Sequence, residues 1–455
     1  MNRLFVEVVV LSMFVSMGLT SCNVDSSTTT NYDGNHCAIT YMMLGTLYRE
    51  AHAKASNGTD STYLTTLSGS MYSLYIDQYK GEIYNPDSLP LGTRVDKVVF
   101  STVSNDGLLA YRLDNGNDTV FTVNDTVDFT HPRVFTCYSY SGLAKKTYTV
   151  HVNVHQVNPE AFVWNKVAAS NEKIQQISAQ RAFCKEGKIF VFALANNAPL
   201  LLTASTGNGN DWSSVDLSFS NFKPEGVQFF NDSFYIFDNG VLMTSVDGIS
   251  WTTVPTSFAA DALVAVSSSM LFAIKDGNIY KSEDAINWQQ DEVESHIEKL
   301  PVSGFTSAWS AMSFNDNFEY VICGGVNSNG NVEWRKVIDN KGNNTEPWSL
   351  YEFESDKVYP YPSISGTQIM LYDSKLFSLG MESDTLSLFH ISYDSGRTWR
   401  PQHTAYQHPT MVADNFSWVV DENKYMWIVC GGSGDIWRGR INRLGFKTNQ
   451  TAFTE

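Results

Sequence analysis

Ser245-Val-Asp-Gly-Ile-Ser-Trp251 follows an apolar run, Phe234-Tyr-Ile-Phe237, and the same order returns along the chain. Leu271-Phe-Ala-Ile274 precedes Ser282-Glu-Asp-Ala-Ile-Asn-Trp288, and Leu376-Phe-Ser-Leu379 precedes Ser392-Tyr-Asp-Ser-Gly-Arg-Thr-Trp399. Weaker copies complete the set. Ile189-Phe-Val-Phe-Ala193 leads to Ser205-Thr-Gly-Asn-Gly-Asn-Asp-Trp212, and Tyr320-Val-Ile-Cys323 leads by a longer path to Thr345-Glu-Pro-Trp348. Tyr425-Met-Trp-Ile-Val-Cys430 leads to Asp435-Ile-Trp437. From Trp212 to Trp399 the tryptophans that end these segments are 39, 37, 60 and 51 residues apart. Four short strands with their turns need about 40 to 50 residues, the period of a propeller blade.

Six units therefore predict a six-bladed β-propeller over residues 159–446, with an insertion in the 60-residue unit. Its closure is also legible. Phe162-Val-Trp-Asn-Lys-Val167 reads as the strand after a box tryptophan, like Trp251-Thr-Thr-Val254, but no three strands precede it. The last unit, ending near Arg440, lacks that strand. Joining the two seals the ring and leaves no open edge.

Upstream, residues 36–158 alternate as half-buried strands do. In Lys146-Thr-Tyr-Thr-Val-His-Val-Asn-Val-His155, the side chains of Tyr148, Val150, Val152 and Val154 share one face. Tyr72-Ser-Leu-Tyr-Ile-Asp77, a turn at Lys80-Gly81, and Glu82-Ile-Tyr84 form a second pair, ending in the polar corner Asn85-Pro86-Asp87. These patterns predict an Ig-like antiparallel β-sandwich. The fold class is all-β throughout: sandwich first, propeller second.

The first 21 residues read as a signal peptide. Arg3 precedes the apolar stretch Val8-Val-Val-Leu-Ser-Met-Phe-Val-Ser-Met-Gly18, which is short of the roughly 20 residues a spanning helix needs. Leu19-Thr20-Ser21-Cys22 resembles the bacterial lipobox, which implies lipidation at Cys22. Residues 22–35 are polar and aperiodic, a tether; residues 447–455 form a C-terminal tail. The expected place is the cell envelope, anchored to the outer membrane, with surface and periplasmic faces both open.

Acidic residues number 48 against 31 basic, a net charge of −17, which argues against nucleic-acid partners. Five cysteines remain after Cys22, an odd number without metal-ligand spacing. Cys323 and Cys430 share a setting, Val321-Ile-Cys-Gly-Gly325 and Ile428-Val-Cys-Gly-Gly432, as equivalent small apolar residues of buried strands. His151 and His155, four apart on a strand, and His403 and His408, in a loop, read as surface histidines. No metal or cofactor is expected.

The boxes resemble the Asp-box, or bacterial neuraminidase repeat. That resemblance implies a hairpin turn between the third and fourth strands, with Ser245, Asp247, Ser282, Asp284, Ser392 and Asp394 bonding turn backbone. Gly248 and Gly396 would take positive φ, and Trp251, Trp288 and Trp399 would pack between blades. As a whole, the chain is similar to a group of uncharacterised Bacteroidota-type lipoproteins, a domain-of-unknown-function family. Ile83-Tyr-Asn-Pro-Asp-Ser-Leu-Pro90 and Trp437-Arg-Gly-Arg-Ile-Asn-Arg-Leu-Gly-Phe446 carry this likeness.

The neuraminidase likeness raises a sialidase reading, which needs three arginines from separate blades to clamp a carboxylate. Gln180-Arg181-Ala182-Phe183 is the nearest match to the first; between Ser213 and Val293 there is no arginine. Arg397 and Arg400 flank a box, while Arg438, Arg440 and Arg443 belong to the closing strand. Gly-x-Ser-x-Gly, His-Glu-x-x-His and phosphate-loop motifs are absent, so no catalytic residue is assigned. Binding fits better. Segments before the innermost strands rise to one face, carrying Glu225, Asp261, Trp309, Tyr359, Tyr361, Tyr406 and His408. With Arg181, the expected ligand set is Trp309, Tyr359, Tyr361, Tyr406 and His408, for glycan or peptide. Three functions stand: a capture lipoprotein beside an outer-membrane transporter complex, a divergent exo-glycosidase, and a structural envelope component.

Overall fold

The computed structural model describes residues 34–54, 60–341, 345–350 and 359–446. Cys22, most of the tether and the C-terminal tail lie outside the described residues. The chain divides into two compact units between Gln156 and Val157.

In the first unit a six-stranded sheet runs in the order Tyr75–Asp77, Glu82–Tyr84, Lys145–His151, Arg133–Tyr138, Leu108–Arg112, Asp118–Val120. Two hairpin-like pairs, Ile39–Leu44 with Phe100–Asn105 and Thr46–Lys54 with Asp60–Ser68, complete it. Ile39, Leu44 and Phe100 share one core with Ile83, Phe135, Tyr148 and Val150. Tyr148 and Val150 are fully buried, as the alternation predicts, although the strand itself ends at His151. One pair departs from the expected antiparallel pattern. Thr149–His151 lies parallel to Glu82–Tyr84, because no hairpin joins these strands and the long connection frees their direction. Asn85, wholly buried, fixes the corner beside them. Its carboxamide oxygen accepts from the Asn153 amide at 2.7 Å, and its nitrogen donates to the carbonyls of Asn153 and Asp87, both at 2.9 Å.

Among the described residues the second unit holds six sheets: blades 1 to 4 have four strands in succession, blade 5 adds the short Thr385–Leu386 to its four, and blade 6 draws one of its four from elsewhere in the chain. The first strands of blades 1 to 6 are Ile177–Lys185, Gln228–Phe230, Ala262–Val266, Ser303–Met312, Ser365–Tyr372 and Asn415–Val420. Blade 6 is completed by a strand from the other end of the domain: Phe162–Ala168 pairs antiparallel with Asp435–Ile441. Closure is reinforced around Arg443, whose amide donates to the Pro159 carbonyl at 3.0 Å and whose guanidinium bonds Asp373 and Glu160. This pairing corrects one reading. Asp435-Ile-Trp437 is not a box but part of the third strand, since the fourth strand of blade 6 arrives from residue 162 and no turn connects them. The long unit also differs from expectation. Much of its excess goes into blade 4's first three strands, which are 10, 13 and 10 residues long.

Each Ser-x-Asp segment is a turn between third and fourth strands. Asp247 accepts the amides of Ile249 and Ser250 at 2.8 Å, and the Ser245 hydroxyl accepts the amide of Gly248 at 2.8 Å. Gly248 and Gly396 take φ of 76° and 91°, whereas Ala285 holds the corresponding position at 62°. Glycine is favoured for a second reason: a Cβ on Gly248 would press on Leu201 and Phe192 of the preceding blade. Trp251 packs on Phe192, Trp288 on Phe237, and Trp348 on Phe272, so each ring seals one blade against the last. Cys323 and Cys430 are both buried in second strands.

The tryptophans differ in where their indole N–H goes. Trp212, Trp251 and Trp288 donate to turn carbonyls at 2.9 Å. Trp348 donates to Asp291 at 3.0 Å and Trp399 to Glu333 at 2.8 Å, both carboxylates of the neighbouring blade. Asp291 also pairs with buried Lys336 at 2.9 Å, so its charge is compensated. Glu333 has no such partner among the described residues: its second oxygen is buried without a hydrogen bond to any of them, and burial raises its carboxyl well above the usual carboxylate range. The fold thus favours protonated Glu333. That contribution is complete below the unfolded value near 4.5 and is lost as pH rises through the folded value. Glu333→Gln keeps an acceptor for Trp399 and removes the ionisation. Its melting temperature should match the parent at pH 4 and exceed it by about 3 °C at pH 8; an unchanged pH profile in calorimetry would contradict a buried neutral Glu333.

Candidate functional site

The first strand of a blade is hydrogen-bonded on one side only. Its free edge faces the axis of the ring, and six such edges surround a cavity of 620 Å³. All six blades line it: blade 1 through residues 178–183, blade 2 through Gln228 and Phe229, and blade 3 through Val266. Blades 4, 5 and 6 contribute residues 304–309, 365–371 and 414–420. Side chains of one blade satisfy the exposed edge of another. Gln368 Nε2 donates to the Phe416 carbonyl at 2.8 Å, and the Ile369 amide donates to Thr306 Oγ1 at 2.7 Å. Gln180 donates to Asn415 Oδ1 at 2.8 Å and accepts from Ser417 Oγ at 2.9 Å.

Arg181 crosses this space. Its Nη1 donates to the Glu225 carbonyl at 2.7 Å and to the Phe305 carbonyl of blade 4 at 3.2 Å. Its Nη2 lies 3.5 Å from Gln228 Oε1, and its guanidinium stands over the Phe183 ring. No carboxylate of the described residues lies within ion-pair distance of it. Removal from water without a paired anion draws the guanidinium down to about 10, with the Glu225 charge opposing. Around it the two halves of the channel differ. Towards the starts of the strands stand Ser178, Glu225, Thr367 and Asp414; towards their ends stand Phe183, Phe229, Val266 and Trp309.

The expected ligand residues are not one cluster. Arg181 and Trp309 line the channel, but Trp309 is the seventh residue of Ser303–Met312, near the turn into the blade's second strand, rather than before the strand. Tyr359 stacks with Arg400, and its carbonyl accepts the Trp399 amide at 3.0 Å. Tyr361 packs edge-on against Trp399 between blades 4 and 5, with its hydroxyl buried and without a partner among the described residues. Burial, with the nearby Glu333, pushes its phenol well above the ordinary tyrosine range. Tyr406 donates to Asp373 at 2.9 Å and packs edge-on against Phe377. His408 meets the carbonyls of Ser387 and Pro409, both at 2.8 Å, and packs on Phe389 and Trp164. Four of the six residues therefore pack on blade flanks. Among the described residues no three His, Cys, Asp or Glu side chains form a metal-binding group.

Comparison with known families decides the membership of the chain. The DUF6242 beta propeller domain matches residues 158–449, and the DUF6242 N-terminal domain matches residues 42–152. The chain belongs to the DUF6242 family. No curated protein matches the sequence. Among solved structures, the DUF6242 chain is similar to a Penicillium chrysogenum alpha-L-arabinanase complexed with arabinobiose. The two are 9% identical, with 61% of this chain and 98% of that one covered and a TM-score of 0.37. A Trypanosoma rangeli sialidase in complex with the inhibitor DANA is 13% identical, with coverages of 77% and 57% and a TM-score of 0.28. A putative glycosidase from Bacteroides thetaiotaomicron is 12% identical, with coverages of 45% and 83% and a TM-score of 0.27.

The buried hydroxyl of Tyr361 separates a packing role from a ligand role. A buried donor without an acceptor costs about 1 to 3 kcal/mol. Tyr361→Phe in the DUF6242 chain should raise the urea midpoint by the equivalent of about 1 kcal/mol; a lowered midpoint would mean that the hydroxyl has a partner in solution.

Proposed function

We propose that this protein is a cell-envelope lipoprotein that captures glycan in the channel of its propeller without transforming it, as an accessory to outer-membrane nutrient uptake. The observation that carries the reading is the cavity itself. Its 620 Å³ falls within the roughly 300 to 1,000 Å³ range of small-molecule sites. Neutral hydrogen-bonding groups, among them Ser178, Ser307, Thr367 and Gln368, share its wall with Phe183, Phe229 and Trp309. Hydroxyl and amide groups suit sugar hydroxyls, and the rings suit the apolar faces of pyranoses. The lipobox-like Leu19-Thr20-Ser21-Cys22 supports the envelope address.

A second reading, an exo-glycosidase, is favoured by one feature: Glu225 and Asp414 line the same channel as Arg181. Two carboxylates can serve as acid and base. Against it, Arg181 is the one arginine among the described channel residues, where a sialidase clamp uses three.

Glycan and peptide arrays probed with the full chain, beside fluorogenic sialoside and arabinoside assays, separate the two. Capture predicts selective glycan binding without turnover, weakened at least about tenfold by Ser307→Trp, which fills the channel, since 1.4 kcal/mol already gives that factor. Turnover of either substrate would replace capture by catalysis, and binding unaffected by a correctly folded Ser307→Trp would move the site elsewhere.

A further inference from the structure

Resting on the capture reading, we infer that Arg181 and Gln228 form a carboxylate clamp in the channel, so that the captured glycan carries a sugar-acid residue.

The guanidinium has five N–H groups in a planar fork. Nη1 is committed to two carbonyls, and Nη2 makes one long contact with Gln228 Oε1. Nε makes no hydrogen bond with any described residue. The edge formed by Nε and the remaining Nη2 hydrogen therefore keeps hydrogen-bonding capacity that no described residue uses, and that edge matches the two oxygens of a carboxylate. A second observation is independent of Arg181. Gln228, 1% exposed and on the channel wall, has its amide nitrogen buried without an acceptor among the described residues. A buried amide donor is rarely left unmade without a use. Its oxygen is turned to Arg181, so the idle nitrogen and the unused guanidinium edge belong to one wall.

Charge points the same way. Arg181 is held by carbonyl dipoles, with no counter-anion at bonding distance among the described residues, in a protein of net charge −17. An incoming carboxylate supplies the missing charge, and a charge-assisted pair in such a site is among the stronger polar contacts. Sulfate or phosphate could also meet a guanidinium, but a planar two-oxygen group matches the fork edge. The neutral hydroxyl and amide groups of Ser178, Thr306 and Thr367 suit the remaining hydroxyls of a sugar. Glu225 and Asp414, in the same half of the channel, repel a second anion and select a ligand with one acidic group per residue bound.

The test is calorimetric titration of the full chain with galacturonate and glucuronate oligosaccharides against their neutral galactose and glucose counterparts. The clamp predicts that the acids bind at least tenfold tighter and that the difference shrinks as salt rises. Arg181→Lys, which keeps the charge but loses the fork, should abolish most of the preference. Gln228→Leu should reduce it several-fold, a readout that survives if the arginine variants fail to fold. Equal affinity for acidic and neutral glycans would overturn the clamp while leaving glycan capture intact. Binding of peptides with a free C-terminus, lost on amidation, with no saccharide bound, would overturn the sugar-acid assignment. No binding by any of the acids or neutral glycans would overturn both.

Discussion

Seven residues, Phe162–Ala168, hold the propeller shut. Their pairing with Asp435–Ile441 is the only way blade 6 acquires a fourth strand, and it ties residues some 270 positions apart into one sheet. Without it the last sheet would expose an unpaired edge and the ring would be free to splay. With it, the six first strands are held around one axis, and their inward edges define a cavity. Channel and closure are therefore one constraint seen from two sides. The contacts around Arg443, Asp373 and Glu160 strengthen the same seam, and Tyr406 is recruited to it rather than to a ligand.

Inter-blade packing uses two solutions to one problem. A large indole must be buried with its N–H satisfied. Where the turn is regular, as at Trp251 and Trp288, the turn's own carbonyl suffices. At Trp348 and Trp399, a carboxylate from the neighbouring blade takes its place. At Trp348 a buried lysine neutralises that carboxylate, whereas at Trp399 burial raises the acid well above the usual carboxylate range. The regular solution places no ionisable side chain against the indole; the others set one between the blades.

The architecture was legible because turns and burial obey local rules. Box spacing predicted six blades, and the unmatched strand at Phe162 predicted the closure, since both follow from a repeat that must bury its own faces. The site was far less legible. Along a half-buried strand, alternation separates inside from outside, but a first strand presents its edge to the channel, so residues of both parities line it. Aromatic content before each first strand was a poor guide, because loops between blades bury rings as readily as they display them. Tyr361 and His408 do the former. Arg181 enters only through the neuraminidase likeness, as the nearest match to the first arginine of a sialidase clamp. Gln228 gave no signal at all: an amide between Val227 and Phe229 reads as an ordinary polar strand position.

The claim that the propeller channel receives the ligand is tested most directly by hydrogen exchange of the full chain with and without a saturating glycan from the array. Channel capture predicts added protection confined to the first strands, above all residues 178–183, 304–309 and 365–371. Protection appearing instead on the outer strands, or in the unit before Val157, would contradict it.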